Sequence, residues 1–310
     1  MWFFVWGVSM YVSVLLGVAY FTLFERKLIA ICQKRKGPSL VGWLGLMQPF
    51  ADGLKLFCKE FIIPYESDKF LFFFAPSYMM IHMFLLWSCG PSVWNCSVYF
   101  VWGALYFLSV LSVGVYGVVM AGWSSNSKYS LFGTVRALAQ VISYEVLLIT
   151  IFMFPLFLGG SLNLQEVGEV GLLTARFCWV GYFSLVGWLF CVLAETNRAP
   201  FDLVEGESEL VSGFNVEYSG PGFAMIFIAE YGNVIFLGTV TVAVFWGGSM
   251  MGVGSCLVEM GLVGVFLSFV VLCRCSMPRF RYDMLMKMAW VSWLPLVLMA
   301  FGWFVLVLGA

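Results

Sequence analysis

Eight stretches of this chain are apolar almost without interruption, each about as long as a helix needs to cross a bilayer core of about 30 Å. They run roughly over 2–24, 70–89, 99–121, 134–158, 175–195, 222–246, 252–273 and 286–308. Lipid offers the backbone no hydrogen bonds, so only helices or a closed barrel can span it. Barrel strands alternate polar and apolar residues; these runs do not. The composition agrees: 62% of residues are hydrophobic and 11% charged, against about 25% charged in soluble domains. The expected fold is an all-α integral membrane protein with eight transmembrane helices, one polytopic domain over 1–310. Met1-Trp-Phe-Phe-Val opens straight into an apolar run without a basic leader, so the first segment is expected to be a mature span. Gly103, Gly114 and Gly117 punctuate the third run, where small residues let neighbouring helices approach closely.

Basic residues predict the orientation. Fifteen of the 16 lie in or beside the odd-numbered loops, and only Arg176 lies on the opposite side. The odd loops are therefore expected inside, facing the cytoplasm or the mitochondrial matrix. The first of them, 25–69, is too long for a turn. Within it, over 48–61, Phe50, Leu54, Phe57 and Phe61 share one helical face, and Asp52, Lys55 and Lys59 share another. Pro49 suits the first turn. This predicts an amphipathic helix lying in the interface plane.

The third inside loop, 196–221, is the anomaly of the chain. From Glu195 to Glu217 it holds six of the 17 carboxylates, with Arg198 as the one base. Ionisable residues also lie inside the spans, where they are costly and mark function. Glu145 sits about 15 Å into the fourth span, at about 1.5 Å per residue. Arg136, Gln140 and Tyr144 repeat beside it at four-residue intervals, the fifth span ends at Glu195, and the sixth carries Glu230 with Asn233 one turn on. If these three spans pack together, the acids form a row leading from the loop towards mid-membrane. A single buried acid is adequately explained by packing against a Tyr, Asn or Arg. Three in consecutive spans below an acidic loop favour a proton or charge relay. Glu259 reads as an interface residue.

Other chemistries find no ligands. The net charge is −1, so nucleic-acid binding is not expected. The nine cysteines contain no CxxC pair, only a CxC at Cys273 and Cys275, and the lone histidine, His82, lies in an apolar run. No zinc, haem or iron–sulfur ligand set can be assembled; the cysteines read as small packing residues and His82 as a packed or interfacial side chain. No GxGxxG or Walker sequence is present, so neither flavin nor nucleotide binding is expected.

Several long strings resemble one family. They are Glu25-Arg26-Lys27, Lys34-Arg35-Lys36-Gly37-Pro38, Gln48-Pro49-Phe50-Ala51-Asp52-Gly53-Leu54-Lys55, Arg136 to Glu145, Ala194 to Gly213, Ala229-Glu230-Tyr231 and Pro278-Arg279-Phe280-Arg281-Tyr282-Asp283. Their order and spread resemble the NADH dehydrogenase subunit 1 family, the quinone-site membrane subunit of respiratory complex I. The resemblance implies a core membrane subunit of a proton-pumping NADH:ubiquinone oxidoreductase with no redox centre of its own. Ubiquinone is its implied substrate. Its implied partners are soluble quinone-site subunits carrying the terminal iron–sulfur cluster, small and antiporter-like membrane subunits, and the lipid bilayer. By motif, Arg26, Arg35, Asp52, Arg279 and Arg281 would line a quinone tunnel. Phe201, Asp202, Glu205, Glu207, Glu209 and Glu217 would form a coupling loop. Tyr144, Glu145, Glu195 and Glu230 would begin a charged axis.

The implied location is the mitochondrial inner membrane with odd loops in the matrix, a bacterial plasma membrane being the alternative. Rival functions are the related membrane subunit of a proton-pumping hydrogenase, a stand-alone ion transporter using the acidic row, and a purely structural anchor. The last leaves Glu145 and the acid density unexplained.

Overall fold

The computed structural model describes residues 2–90, 100–168, 178–203, 213–247 and 253–309. Its elements are helical: α1 (Trp2–Cys32), α2 (Gln48–Cys58), α3 (Lys69–Ser88), α4 (Gly103–Ser124), α5 (Lys128–Gly159), α6 (Cys178–Glu195), α7 (Gly220–Trp246), α8 (Val253–Ser276), α9 (Tyr282–Lys287) and α10 (Leu294–Gly309). A π-helical turn over Met288–Trp293 joins the last two.

Seven helices among the described residues are long and apolar enough to cross a membrane: α1, α3, α4, α5, α7, α8 and the joined stretch Tyr282–Leu306. The eighth expected span is only partly matched. Helix α6 has 18 residues, about 27 Å at 1.5 Å per residue, slightly less than a bilayer core. The expected start at 175 lies outside the described residues. Among the described residues there are thus seven full-length spans and one shorter apolar helix, and the expected count of eight is not reached there.

The bundle is layered around α5. Helix α3 packs on α4 and α7, α5 on α4 and α6, and α7 on α1 and α8. Large aromatics fill the centre. Phe152 of α5 stacks on Trp188 of α6 at 5.3 Å and lies 5.5 Å from Phe107 of α4. Ring pairs at these separations add to the burial of their area. Trp188 carries a polar atom into this layer and satisfies it by donating Nε1–H to Thr241 Oγ1 at 2.9 Å.

Helix α2 is shorter than the sequence pattern implies. Lys59 adopts an extended conformation and ends it. Phe61 therefore leaves the expected apolar face and packs on α3, 4.7 Å from the Phe73 ring and 5.9 Å from Phe72. The remaining face of Phe50, Leu54 and Phe57 is exposed, as an interfacial helix requires. The end of α2 docks on the start of α7: Ile62 N–H donates to Ser219 Oγ at 3.2 Å. Gly220 permits that approach. Its φ is +57°, and a Cβ there would stand 2.9 Å from the Lys59 carbonyl oxygen. Tyr218, just before this junction, stacks on Phe72 at 4.2 Å. Burial pushes its phenol up to about 12, opposed by its hydrogen bond with Ser124.

Candidate functional site

The acidic stretch is rooted at the end of α6, and the backbone there explains how. Asn197 takes the left-handed conformation, φ 50°. Its N–H bonds to the Ala194 carbonyl and that of Arg198 to the Leu193 carbonyl, both at 3.3 Å. This double bond pattern is a Schellman stop, in which Asn is one of the few non-glycine residues tolerated at the left-handed position. It ends α6 immediately after Glu195 and turns Arg198 back into the bundle.

Arg198 there meets a buried carboxylate. Glu25 of α1 is 4% exposed. Its Oε1 accepts from Arg198 Nη1 at 3.1 Å and from Arg274 Nη1 of α8, and its Oε2 accepts from the Tyr231 hydroxyl of α7 at 2.6 Å. The Arg198 guanidinium also lies 4.4 Å from the centre of the Tyr231 ring. Burial works against the Arg198 charge, but Tyr231 and Glu25 outweigh it, so the group stays protonated. Four segments of the chain converge on one carboxylate. Sequence reading assigned none of these residues, Glu25, Arg198, Tyr231 and Arg274, a site role. The only signal for Glu25 was its place within the Glu-Arg-Lys string.

The polar stripe of α5 holds the other side of the root. Gln140 Nε2 donates to the carbonyls of Ala194 and Phe201 at 2.8 and 2.9 Å. Tyr144 donates its hydroxyl to the Leu285 carbonyl at 3.3 Å, and Arg136 sits 5.6 Å from the centre of the Tyr282 ring. Phe201 is almost fully buried, between Tyr144 at 5.7 Å and Phe280 at 6.0 Å. Phe280 N–H bonds to the Pro200 carbonyl at 3.1 Å. The regular spacing Arg136-Gln140-Tyr144 is thus a clamp that ties the loop root to the 280–285 segment.

The acids of the expected row come together. Glu195 and Glu230 line one cavity of about 70 Å³, with His82, Asn197 and Asn233. Glu145 is close enough to Glu195 for their charges to interact, and Glu230 interacts electrostatically with Arg198. No hydrogen bond or ion pair from the described residues reaches Glu145 or Glu195. The amide oxygens of Asn197 and Asn233 are buried without a hydrogen-bond partner among those residues. A cavity of this size has room for several waters, and unpaired polar groups on its mostly apolar wall are what bind them.

His82 both packs and faces this cavity. Its Nε2 lies 2.8 Å from the Val110 carbonyl, which can only accept, so Nε2 carries a proton. Gly114 makes room for the ring; a Cβ there would stand 2.7 Å from it. The packed reading of His82 is correct, and its neighbourhood to the acids is an addition that one-dimensional spacing could not reveal.

The five expected tunnel residues do not form a single contact cluster. Arg26 Nη1 donates to Asp52 Oδ2 at 2.6 Å, and Gln48 supports Asp52 at 3.0 Å. Arg35, exposed beyond α1, donates to Gln33 at 2.7 Å. Arg279 pairs with Asp202 at 3.3 Å, and Arg281 with Asp283 at 3.2 Å. Arg279 therefore joins the loop root rather than the Arg26–Asp52 pair. Glu217 lies half-buried in the turn after Gly213–Asn215. Glu205, Glu207 and Glu209 lie outside the described residues. No group of three or more His, Cys, Asp or Glu side chains among the described residues is arranged to hold a metal ion.

The NADH dehydrogenase family model matches residues 6–305. The chain is 57% identical to the NADH-ubiquinone oxidoreductase chain 1 of Pecten maximus, over 98% of this chain and 88% of that protein. It is 46% identical to the protein of the same name from Mytilus edulis, over 94% and 93%. With that from Branchiostoma lanceolatum the identity is 47%, over 93% and 90%.

Proposed function

Since this chain belongs to the NADH dehydrogenase family, we propose that it is the quinone-site core membrane subunit of a proton-pumping NADH:ubiquinone oxidoreductase, complex I. The observation that carries this reading is likeness over nearly the whole chain to proteins named NADH-ubiquinone oxidoreductase chain 1. The protein is then a membrane subunit of the mitochondrion, in the inner membrane, with the basic loops in the matrix. Its partners are soluble subunits that carry electrons to the quinone, and small and antiporter-like membrane subunits.

Within that frame each group has a role. Arg26 with Asp52, and Arg35, Arg279 and Arg281, border the path of ubiquinone from the bilayer, beside the exposed apolar face of α2. Phe201 and Asp202 root the coupling loop, whose acids run on through Glu205, Glu207 and Glu209 to Glu217. Quinone reduction takes up two protons and changes the charge next to this loop. Glu230, Glu195 and Glu145, with Tyr144 packed against Phe201, receive that change as altered proton occupancy and hydration, because charge interactions are strong where the dielectric is low. The fixed Glu25 cluster and the α5 clamp keep the loop root in place while the acids respond.

Asp202→Asn tests the coupling role. In membranes carrying the intact complex, NADH oxidation by an artificial acceptor that bypasses quinone should persist. Quinone reduction or its coupled proton uptake should fall by about tenfold, in the range of one transition-state or coupling contact. Wild-type quinone reduction with wild-type pumping would remove the loop from the mechanism.

A further inference from the structure

The geometry points to His82 as a proton-carrying residue of the acid cavity, a third group that exchanges protons with Glu195 and Glu230. The inference rests on the relay reading proposed above and adds to it a base from a helix that reading leaves out. His82 stands on α3, which packs on α4 and α7. It is 6% exposed, and it lines the cavity of about 70 Å³ with Glu195 at the end of α6 and with Glu230 and Asn233 of α7. Of the helices packed on α3, α4 carries no Asp, Glu, Lys or Arg, and its phenols, Tyr106 and Tyr116, do not line the cavity. Helix α7 brings Glu230 to the wall, while its Tyr231 hydroxyl is spent on Glu25. Glu195 adds the second carboxylate. Among the described residues no Lys or Arg lines the wall, so the chain's one histidine is also the one base of this cavity.

The ring is held in a way that leaves it able to titrate. Its Nε2–H donates to the Val110 carbonyl at 2.8 Å. That bond survives in both charge states, because Nε2 carries its hydrogen in this neutral tautomer and in the imidazolium alike. Gly114 admits the ring: a Cβ there would stand 2.7 Å from both Cε1 and Nε2. With Nε2 fixed on α4, Nδ1 is the nitrogen that gains or loses the second proton, and the ring need not turn to do so. Packing alone is met by the Val110 bond and the Gly114 notch. It does not account for a base that shares its cavity with two carboxylates and with two amide oxygens, of Asn197 and Asn233, that find no partner among the described residues.

The step is a proton transfer. Protonated His82 gives its Nδ1–H proton to a cavity water as that water gives one of its own to the Glu230 or Glu195 carboxylate; a cavity of this size has room for the connecting molecule. One N–H bond breaks, one O–H bond forms on the carboxyl group, and the water is left whole. Imidazolium and carboxylate become a neutral pair, and no electrons move. The return step is the reverse. Histidine is the side chain whose charge changes nearest neutral pH, so it reloads under conditions in which a solvated carboxylate stays ionised. Charges that share one low-dielectric cavity interact strongly, so loading His82 favours the ionised form of both acids and unloading it favours their protonated form.

The test uses the assembled complex in its own membranes. His82→Gln keeps a donor for the Val110 carbonyl, and His82→Phe keeps a ring beside Gly114; neither carries the proton. Coupled proton translocation at neutral pH should fall by about tenfold or more in both. The step that wild type shows in its pH profile between about pH 5 and 8 should vanish. The proposal is overturned if either variant translocates protons at the wild-type rate, or if the pH step survives in them. Glu195→Gln, measured alongside, separates the two readings: a defect there with normal His82 variants removes His82 alone, and normal translocation in all three removes the relay as well. A second measurement needs no variant and decides the matter even where one fails to assemble. Deuterium exchange at the His82 Cε1–H of the wild-type complex, read by mass spectrometry, follows ring protonation and should trace a titration curve over the same range; a flat profile overturns the proposal.

Discussion

Two groups of acid, one buried at Glu25 and one partly buried at Glu195, lie on either side of the Arg198 turn, and they are built in opposite ways. Glu25 has both carboxylate oxygens engaged: two arginines and a tyrosine, each from a different segment. Glu195, at the other end of the Arg198 turn, borders a cavity with another acid and two amide oxygens that find no partner among the described residues. A carboxylate so compensated holds one charge state and fixes geometry; removing one partner of such a pair leaves an uncompensated charge. An acid beside a hydratable cavity and a second acid is free to change its proton. The stop at Asn197 separates the two by a single turn of chain, so one backbone feature serves both the rigid and the responsive region.

That contrast can be broken at its strongest point first. Glu25→Gln should strand Arg198 and Arg274 and destabilise the assembled complex by about 3–5 kcal/mol, seen as loss of the intact complex on mild heating. If the complex keeps its wild-type melting behaviour, Glu25 is not the anchor described here. Tyr231→Phe keeps the ring under Arg198 and deletes one charged hydrogen bond, so about 1.5–3 kcal/mol should go; a neutral result in the same melting assay would mean the hydroxyl contributes nothing. On the cavity side, Gly114→Ala pushes a methyl group against the His82 ring. Overpacking of that kind costs about 1–3 kcal/mol, and replacing His82 by a smaller residue in the same chain should recover part of it. The smallest stability effect, under about 1 kcal/mol, is expected for Glu195→Gln, because no ion pair from the described residues is lost. Its effect should instead fall on protons pumped per electron, and a normal ratio would return Glu195 to a packing role.

The regions also differ in how far they could be read from the chain itself. Spans were legible because an uncharged apolar run about 20 residues long has no other use. Helix α6 matches its apolar run only in part, because the start of that run lies outside the described residues. The face of α2 was legible from its period, but its end was not: Lys59 leaves the helix to meet the start of α7, a tertiary contact across more than 150 residues. The acid row was visible because charge within apolar sequence stands out. The Glu25 cluster was not, since its partners lie 173, 206 and 249 residues away. Glu25 itself looked like one more charge near a span end. Arg279 illustrates the same limit: its motif implied a place along a quinone tunnel, but its pairing with Asp202 is set by how the 280–285 segment folds over Phe201.

The Glu25 cluster has a consequence for how the chain is made. Its carboxylate belongs to α1, and the last of its partners, Arg274, leaves the ribosome 249 residues later. At about 5–20 residues per second that interval is roughly 12–50 s. Throughout it, α1 must enter the bilayer with Glu25 either protonated or held by a temporary companion, and only the arrival of α8 releases that companion. Co-translational insertion of this chain therefore sets an electrostatic latch, one that closes only when α8 has been delivered.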